Sequence, residues 1–122
     1  MPAHHAPADL QALAREWIAA WNARDLERVL ALYTDDAEMT SPYIVTLGFD
    51  ASGTLRGKDA LRAYWTKALT FRPELHFTLI EAFLSPDSVA VLYRNDLGKQ
   101  VSEYLRLDAA GKIRQASGNY PV

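Results

Sequence analysis

The 122-residue chain contains no cysteine. Disulfides, thiolate nucleophiles and thiolate metal sites are therefore excluded. It also lacks any apolar run near the roughly 18 to 20 residues a bilayer-spanning helix needs. Its start, "MPAHHAPADL", has neither the basic region nor the apolar stretch of a signal peptide, so a cytoplasmic protein is the expectation. There is no excess of positive charge. The formal net charge is −2 and no Lys/Arg block stands out, which argues against nucleic-acid or anionic-membrane partners. None of the six glycines falls in a G-x-G-x-x-G or P-loop spacing, so no nucleotide cofactor is expected. Histidine is scarce too. His4 and His5 lie in the terminal tail, and His76 stands alone on a strand, one ligand where a metal site needs three or four. The expectation is a protein without cofactor or metal.

What the chain does have is an ordinary globular composition, 49% hydrophobic, at a length suited to one domain with its own core. Residues 1–8 read as a flexible lead-in and residues 9–122 as a single domain. From Asp9, a candidate N-cap, Leu10, Leu13, Ala14, Trp17, Ala20 and Trp21 recur at helical spacing. Asp25 can cap a second helix with Leu26, Val29, Leu30 and Tyr33 along one stripe. A short strand, Ala37 to Ser41, is stopped by Pro42, and the turn-rich "GFDASGT" follows. "GKDALRAYWTKAL" is a third helix, with Leu61, Trp65, Ala68 and Leu69 on one face. Four strands then follow, Leu75 to Leu84, Ser88 to Asp96, Gln100 to Asp108 and Lys112 to Tyr120, joined by hairpin connections. Helices first and antiparallel strands after is an α+β order, three N-terminal helices packed on a strongly curved, mostly antiparallel sheet. Such a cone leaves a wide end that is hard to fill, a natural place for a small-molecule pocket.

One position breaks the pattern. The strand "VSEYLRL" puts Val101, Leu105 and Leu107 on one face, and Glu103 with them. A carboxylate among apolar neighbours must be paired, hydrogen-bonded or kept protonated. Ion pairing with Arg94 or Arg114 is one way to satisfy it; lining a cavity is another.

Three stretches, "WIAAWNARDLERVLALYTDDAEMTSP", "LRGKDALRAYW" and "YLRLDAAGKIRQASGNY", together with the strands between, resemble the SnoaL-like branch of the nuclear transport factor two-like superfamily. Ketosteroid isomerases and limonene-epoxide hydrolases belong to the same superfamily. The resemblance implies a cone-shaped α+β barrel. It implies chemistry only position by position, because this scaffold hosts isomerases, cyclases, hydrolases and binding-only members.

Where the isomerases keep an aspartate base before the proline ending the first strand, this chain has Ser41 ahead of Pro42. At the position of their helix-borne tyrosine it has Trp17, a weaker donor. Their protonated aspartate, the example the ketosteroid isomerases supply for a carboxylic acid kept neutral, falls at Glu103. The hydrolases' Arg-x-Asp spacing occurs in "RND" (Arg94 to Asp96), which also reads as a surface pair beside a turn. Their second aspartate has no counterpart, since Gln115, Ser117 and Asn119 occupy the last strand.

The resemblance thus implies an isomerase- or cyclase-type enzyme acting on an apolar carbonyl or ring substrate. Glu103 is its acid, and Trp17, Tyr33, Met39, Ser41, Trp65 and Asn119 are its substrate contacts. A non-catalytic ligand-binding or dimeric accessory module is the alternative. Trp21, Tyr43 and Phe83 are further candidate pocket aromatics. Glu81 lies in phase with Phe77, Leu79 and Phe83, and a salt bridge or subunit contact would account for it. Apolar residues on both faces of the Leu75 to Leu84 strand call for cover on both sides. The expected partners are a small apolar or aromatic ligand and a second copy of the chain, docked through the sheet.

Overall fold

The computed structural model of the chain describes residues 4–121. The first helix, α1 (Pro7–Asn22), begins two residues earlier than its spacing predicts. Pro7 supplies the start, since its fixed φ and missing N–H suit the first helical turn. Asp9 lies inside that turn and Ala6 is the capping residue. The lead-in is not free over its described part. His5 donates its backbone N–H to the Pro86 carbonyl at 2.8 Å, and its ring Nε2 lies 2.9 Å from the Asp108 carbonyl. Met1 to Ala3 lie outside the described residues.

Asp25 caps α2 (Leu26–Leu30) as expected, its side chain accepting the Arg28 N–H. The helix stops sooner, however. Tyr33 opens β1 (Tyr33–Thr40) instead of closing a helical stripe, because the Leu32 carbonyl takes the Ile113 N–H and draws the chain into the sheet. Two short elements follow that the spacing does not reveal, α3 (Pro42–Thr46) and β2 (Thr54–Arg56). Next come α4 (Lys58–Phe71), β3 (Thr78–Ser85), β4 (Ser88–Arg94), β5 (Gln100–Leu107) and β6 (Ile113–Asn119).

The six strands form one sheet in the order β2-β1-β6-β5-β4-β3. Every pairing is antiparallel except β1 with β6. The α+β cone therefore holds, with four helices in the described residues instead of three. Its sheet stays open, with β2 and β3 as edges. α1 packs on β3 and β4, and α4 on β1 and β2.

Bulges change which residues face inward. In β3 the register slips between Leu79, opposite Tyr93, and Glu81, opposite Leu92. One extra residue, Ile80, flips every later side chain of the strand. Glu81 and Phe83 thereby leave the inner face. Phe83 is 59% exposed, and among the described residues the Glu81 carboxylate accepts only the neighbouring Ala82 N–H.

Candidate functional site

The inner face of the sheet and the two long helices enclose two adjoining chambers. The inner one, about 70 Å³, is lined by Trp17, Trp21, Tyr33, Met39, Trp65 and Glu103. The outer one, about 230 Å³, opens past Tyr43, Leu47, Phe71, Arg72 and Asn95. Tyr64, Ala68, Leu75, Phe77, Tyr93 and Tyr120 line both.

Several contacts set these walls. Asn22, the last residue of α1, clamps the backbone of Phe77, donating to its carbonyl and accepting its N–H, both at 2.8 Å. The Phe77 ring then stacks on Trp17, with centroids 5.7 Å apart, and lies 4.2 Å from Tyr93. Arg24 donates to the carbonyls of Leu69 and Arg72, which closes the C-terminal end of α4 and holds Arg72 at the mouth. Tyr43 and Tyr120 meet edge to face at 4.8 Å.

Glu103 is 4% exposed and sits where alternation along β5 puts it, between Val101 and Leu105. The inner chamber it lines carries no cationic side chain. Burial pushes its pKa up to about 8, with a smaller opposing effect from the Tyr93 hydroxyl, which donates to Oε1 at 3.3 Å. Oε2 has no hydrogen-bond partner among the described residues. The carboxyl is therefore predominantly protonated at neutral pH, an acid and hydrogen-bond donor in an aromatic cage. Neither Arg94 nor Arg114 neutralises it. Arg94 donates to the Gly98 carbonyl, and both arginines point to solvent.

Gly118 makes room for this carboxyl. It pairs with Glu103 across β5 and β6, and a Cβ there would lie 3.4 Å from Glu103 Oε1 and 3.3 Å from the Tyr120 ring. Next to Glu103, Trp17 Nε1 donates to the Tyr33 hydroxyl at 3.0 Å. Burial, and then the nearby Glu103 charge, push the Tyr33, Tyr93 and Tyr120 hydroxyls above the ordinary phenol range, so all three stay protonated donors. Trp21 Nε1 is a further buried donor, without a partner among the described residues.

Of the candidate residues, Glu103, Trp17, Tyr33, Met39 and Trp65 meet at the inner chamber, and Tyr43 is at the mouth. Trp21 lines the inner chamber too, and three candidates lie elsewhere. Ser41 is buried, but its hydroxyl caps α3, accepting the Tyr43 N–H at 3.3 Å and the Tyr64 hydroxyl at 3.4 Å, and it lines neither chamber. Asn119 lies on the outer face, opposite Ser102, and donates to the Ser102 carbonyl. The phase of β6 is set by Gly118, so Asn119 must point away. Phe83 is likewise outside, carried there by the Ile80 bulge.

Tyr64, Phe77, Tyr93 and Tyr120 are walls the candidate set omits. Tyr93 is in phase with Val89 and Val91 on β4, and Tyr120 with Ala116 and Gly118, so the alternation signal was present for both. Asp96 pairs with Arg72 and accepts the His76 N–H, and among the described residues it makes no ion pair with Arg94.

The open α+β cone, helices on one face of a curved six-stranded mixed sheet, is the architecture of the nuclear transport factor two-like fold. The SnoaL-like domain family matches residues 14–115, and the chain belongs to that family. It is similar over its whole length to a SnoaL-like protein of unknown function from Burkholderia thailandensis, at 39% identity, full coverage of both chains and a TM-score of 0.91. An NTF2-like protein of unknown function from Burkholderia pseudomallei is 21% identical, with 93% of this chain and 91% of that chain covered and a TM-score of 0.75. TerC co-crystallised with polyporic acid is 16% identical over 93% and 92%, with a TM-score of 0.78. These last two likenesses concern the fold. No curated protein matches the chain. No helix of the described residues is long and apolar enough to cross a membrane.

Proposed function

We propose that the protein is a cofactor-independent enzyme of the isomerase or cyclase type, acting by acid–base chemistry on an apolar carbonyl or ring compound. The observation carrying this reading is a single carboxyl, Glu103, buried without a cation at the closed end of an aromatic cavity. Water entering from the mouth takes the α proton of the substrate; as negative charge develops on the carbonyl oxygen, Glu103 donates its proton, or a strong hydrogen bond, to that oxygen. Tyr33, polarised by the Trp17 indole, supports the same charge. Phe77, Tyr93 and Tyr64, which line the outer chamber, hold the apolar body.

Size limits the substrate. A dry cavity of about 150 Å³ accepts benzene, so the inner chamber admits a carbonyl group but not a ring. The outer chamber takes one ring or a compact pair.

A specific observation also favours a binding-only role. Ser41 stands where the related isomerases have their base and is occupied as a helix cap, and neither chamber offers a second carboxylate. The test is proton–deuterium exchange α to the carbonyl of small cyclic and aryl ketones in D2O. An enzyme exchanges these protons and loses the activity in Glu103→Gln while retaining ketone binding. A binder shows no protein-dependent exchange in either form.

The same reading includes a homodimer through the outer sheet face, where Ile80 and Phe83 stand 43% and 59% exposed. Light scattering of the wild type against Phe83→Glu checks it: the wild type should run as a dimer and the variant as a monomer.

A further inference from the structure

The two ends of the cavity differ in kind. No carboxylate lines the outer chamber, and Arg72 is its one cationic side chain among the described residues. Asp96 engages the guanidinium through Nη2, while Asp96 itself does not line the chamber. The remaining guanidinium N–H groups have no partner among the described residues, and the planar fork of arginine can bridge two carboxylates along separate edges.

Beside it, the Asn95 amide has a fixed orientation. Its Oδ1 accepts the N–H groups of Leu97 and Lys99, each at 3.0 Å, in the turn between β4 and β5. That leaves Nδ2 as an unpartnered donor on a side chain that lines the chamber and is 9% exposed. Tyr43 and Tyr120 line the same space, and their hydroxyls make no hydrogen bond among the described residues. Among the lining side chains there are thus several unpaired donors and no carboxylate, and the one charged group is cationic, its counter-ion Asp96 lying outside the lining.

We infer that the molecule this cavity takes is two-ended: a one-ring apolar body whose small carbonyl end enters the inner chamber and whose far end carries an anionic oxygen, a carboxylate or acidic enol, held by Arg72 and Asn95. The inference rests on the reading of Glu103 given above and adds the charge and polarity of the opposite end. A neutral acceptor would satisfy the amide and the phenols. The guanidinium distinguishes the anion, because charge-assisted hydrogen bonds are roughly twice as strong as neutral ones. A protonated Glu103 at the far end adds no repulsion.

The experiment uses two probes of equal size and different charge, para-acetylbenzoate and para-acetylbenzamide. Each is titrated at about pH 6.5 into protein labelled with carbon-13 at the glutamate carboxyls. The Glu103 signal is assigned from Glu103→Gln, and affinities are taken for the wild type, Arg72→Met and Arg72→Lys. In the wild type both probes move the Glu103 signal, and the benzoate binds at least about tenfold more tightly. Arg72→Met reduces that ratio to near one, and Arg72→Lys retains part of it. Because the ratio is taken within each variant, a general loss of stability does not imitate the effect. A wild-type ratio near one, with both probes still moving Glu103, overturns the two-ended ligand and leaves the Glu103 reading intact. A ratio that survives Arg72→Met overturns the assignment in the same way. If neither probe moves Glu103, both readings fall.

Discussion

Two acids on neighbouring parts of the sheet have opposite surroundings. Glu103, in the middle of β5, is enclosed by aromatic rings and has one neutral partner, the Tyr93 hydroxyl; its pKa is pushed up to about 8. Asp96, in the turn after β4, is pushed up by partial burial, but the Arg72 hydrogen bond and charge more than reverse this and hold it below the ordinary range. One acid is kept protonated and the other ionised by what surrounds them. The two ends of the cavity therefore differ in kind: a carboxyl held neutral at the buried end and a fixed charge pair at the open one.

The largest break in this comparison comes from Glu103→Gln, which keeps size and hydrogen bonding but removes the proton. Exchange activity falls at least ~100-fold, the scale of general acid–base catalysis, while ketone affinity changes by only a few-fold. Stability moves the other way. The folded-state pKa of Glu103 lies above its unfolded value, so its proton favours the folded form at low pH. That contribution is lost as pH rises from about 4.5 through about 8. Glu103→Gln therefore flattens the decline and is the more stable protein at pH 8, by an amount on the order of a few kcal/mol. Urea denaturation at pH 5 and at pH 8 measures the difference.

Gly118→Ala comes next. Its Cβ would press on both the Glu103 carboxyl and the Tyr120 ring at 3.4 and 3.3 Å. The expected result is a loss of roughly 1 kcal/mol of stability and a larger proportional loss of activity, read from denaturation and exchange assays together. Tyr93→Phe removes the one hydrogen bond that lowers the Glu103 pKa. The titration midpoint of Glu103 should rise above its wild-type value, whereas a fall would show that the phenol stabilises the protonated form.

The smallest effect belongs to the mouth. Asp96→Asn should cost about 1 kcal/mol at pH 7, read by urea denaturation, as expected for a pair whose side chains are only partly exposed. The cost disappears as pH falls below the unfolded aspartate range near 4, because Asp96 has the depressed pKa of the two.

These differences explain what could be read in the sequence. Period-two alternation placed Glu103 on the inner face of β5, because no bulge intervenes between Val101 and Leu105. Helical spacing placed Trp17, Trp21 and Trp65 toward the core for the same reason: α1 and α4 are long and regular. Alternation misleads in β3, where the register slips and Ile80 turns Phe83 outward. Asn119 is a different case: no slip lies at its pair, and the regular phase of Ala116 and Gly118 points it outward. Ser41 shows a different limit. Its burial follows from the phase of Ala37 and Met39, but its role as a cap depends on α3, five residues long and marked only by the pairing of Ser41 with Pro42. The Asp96–Arg72 pair joins a turn to the end of a helix 24 residues earlier in the chain. No local pattern encodes that meeting.

The most direct test of the account is the titration of the Glu103 carboxyl itself, by carbon-detected NMR with Glu103→Gln to assign the signal. The account predicts a midpoint near 8, with the group protonated throughout the neutral range. A midpoint at or below the ordinary glutamate value of ~4.3 would show a solvated or ion-paired carboxylate, and would contradict the proposal that this cavity ends in a proton donor.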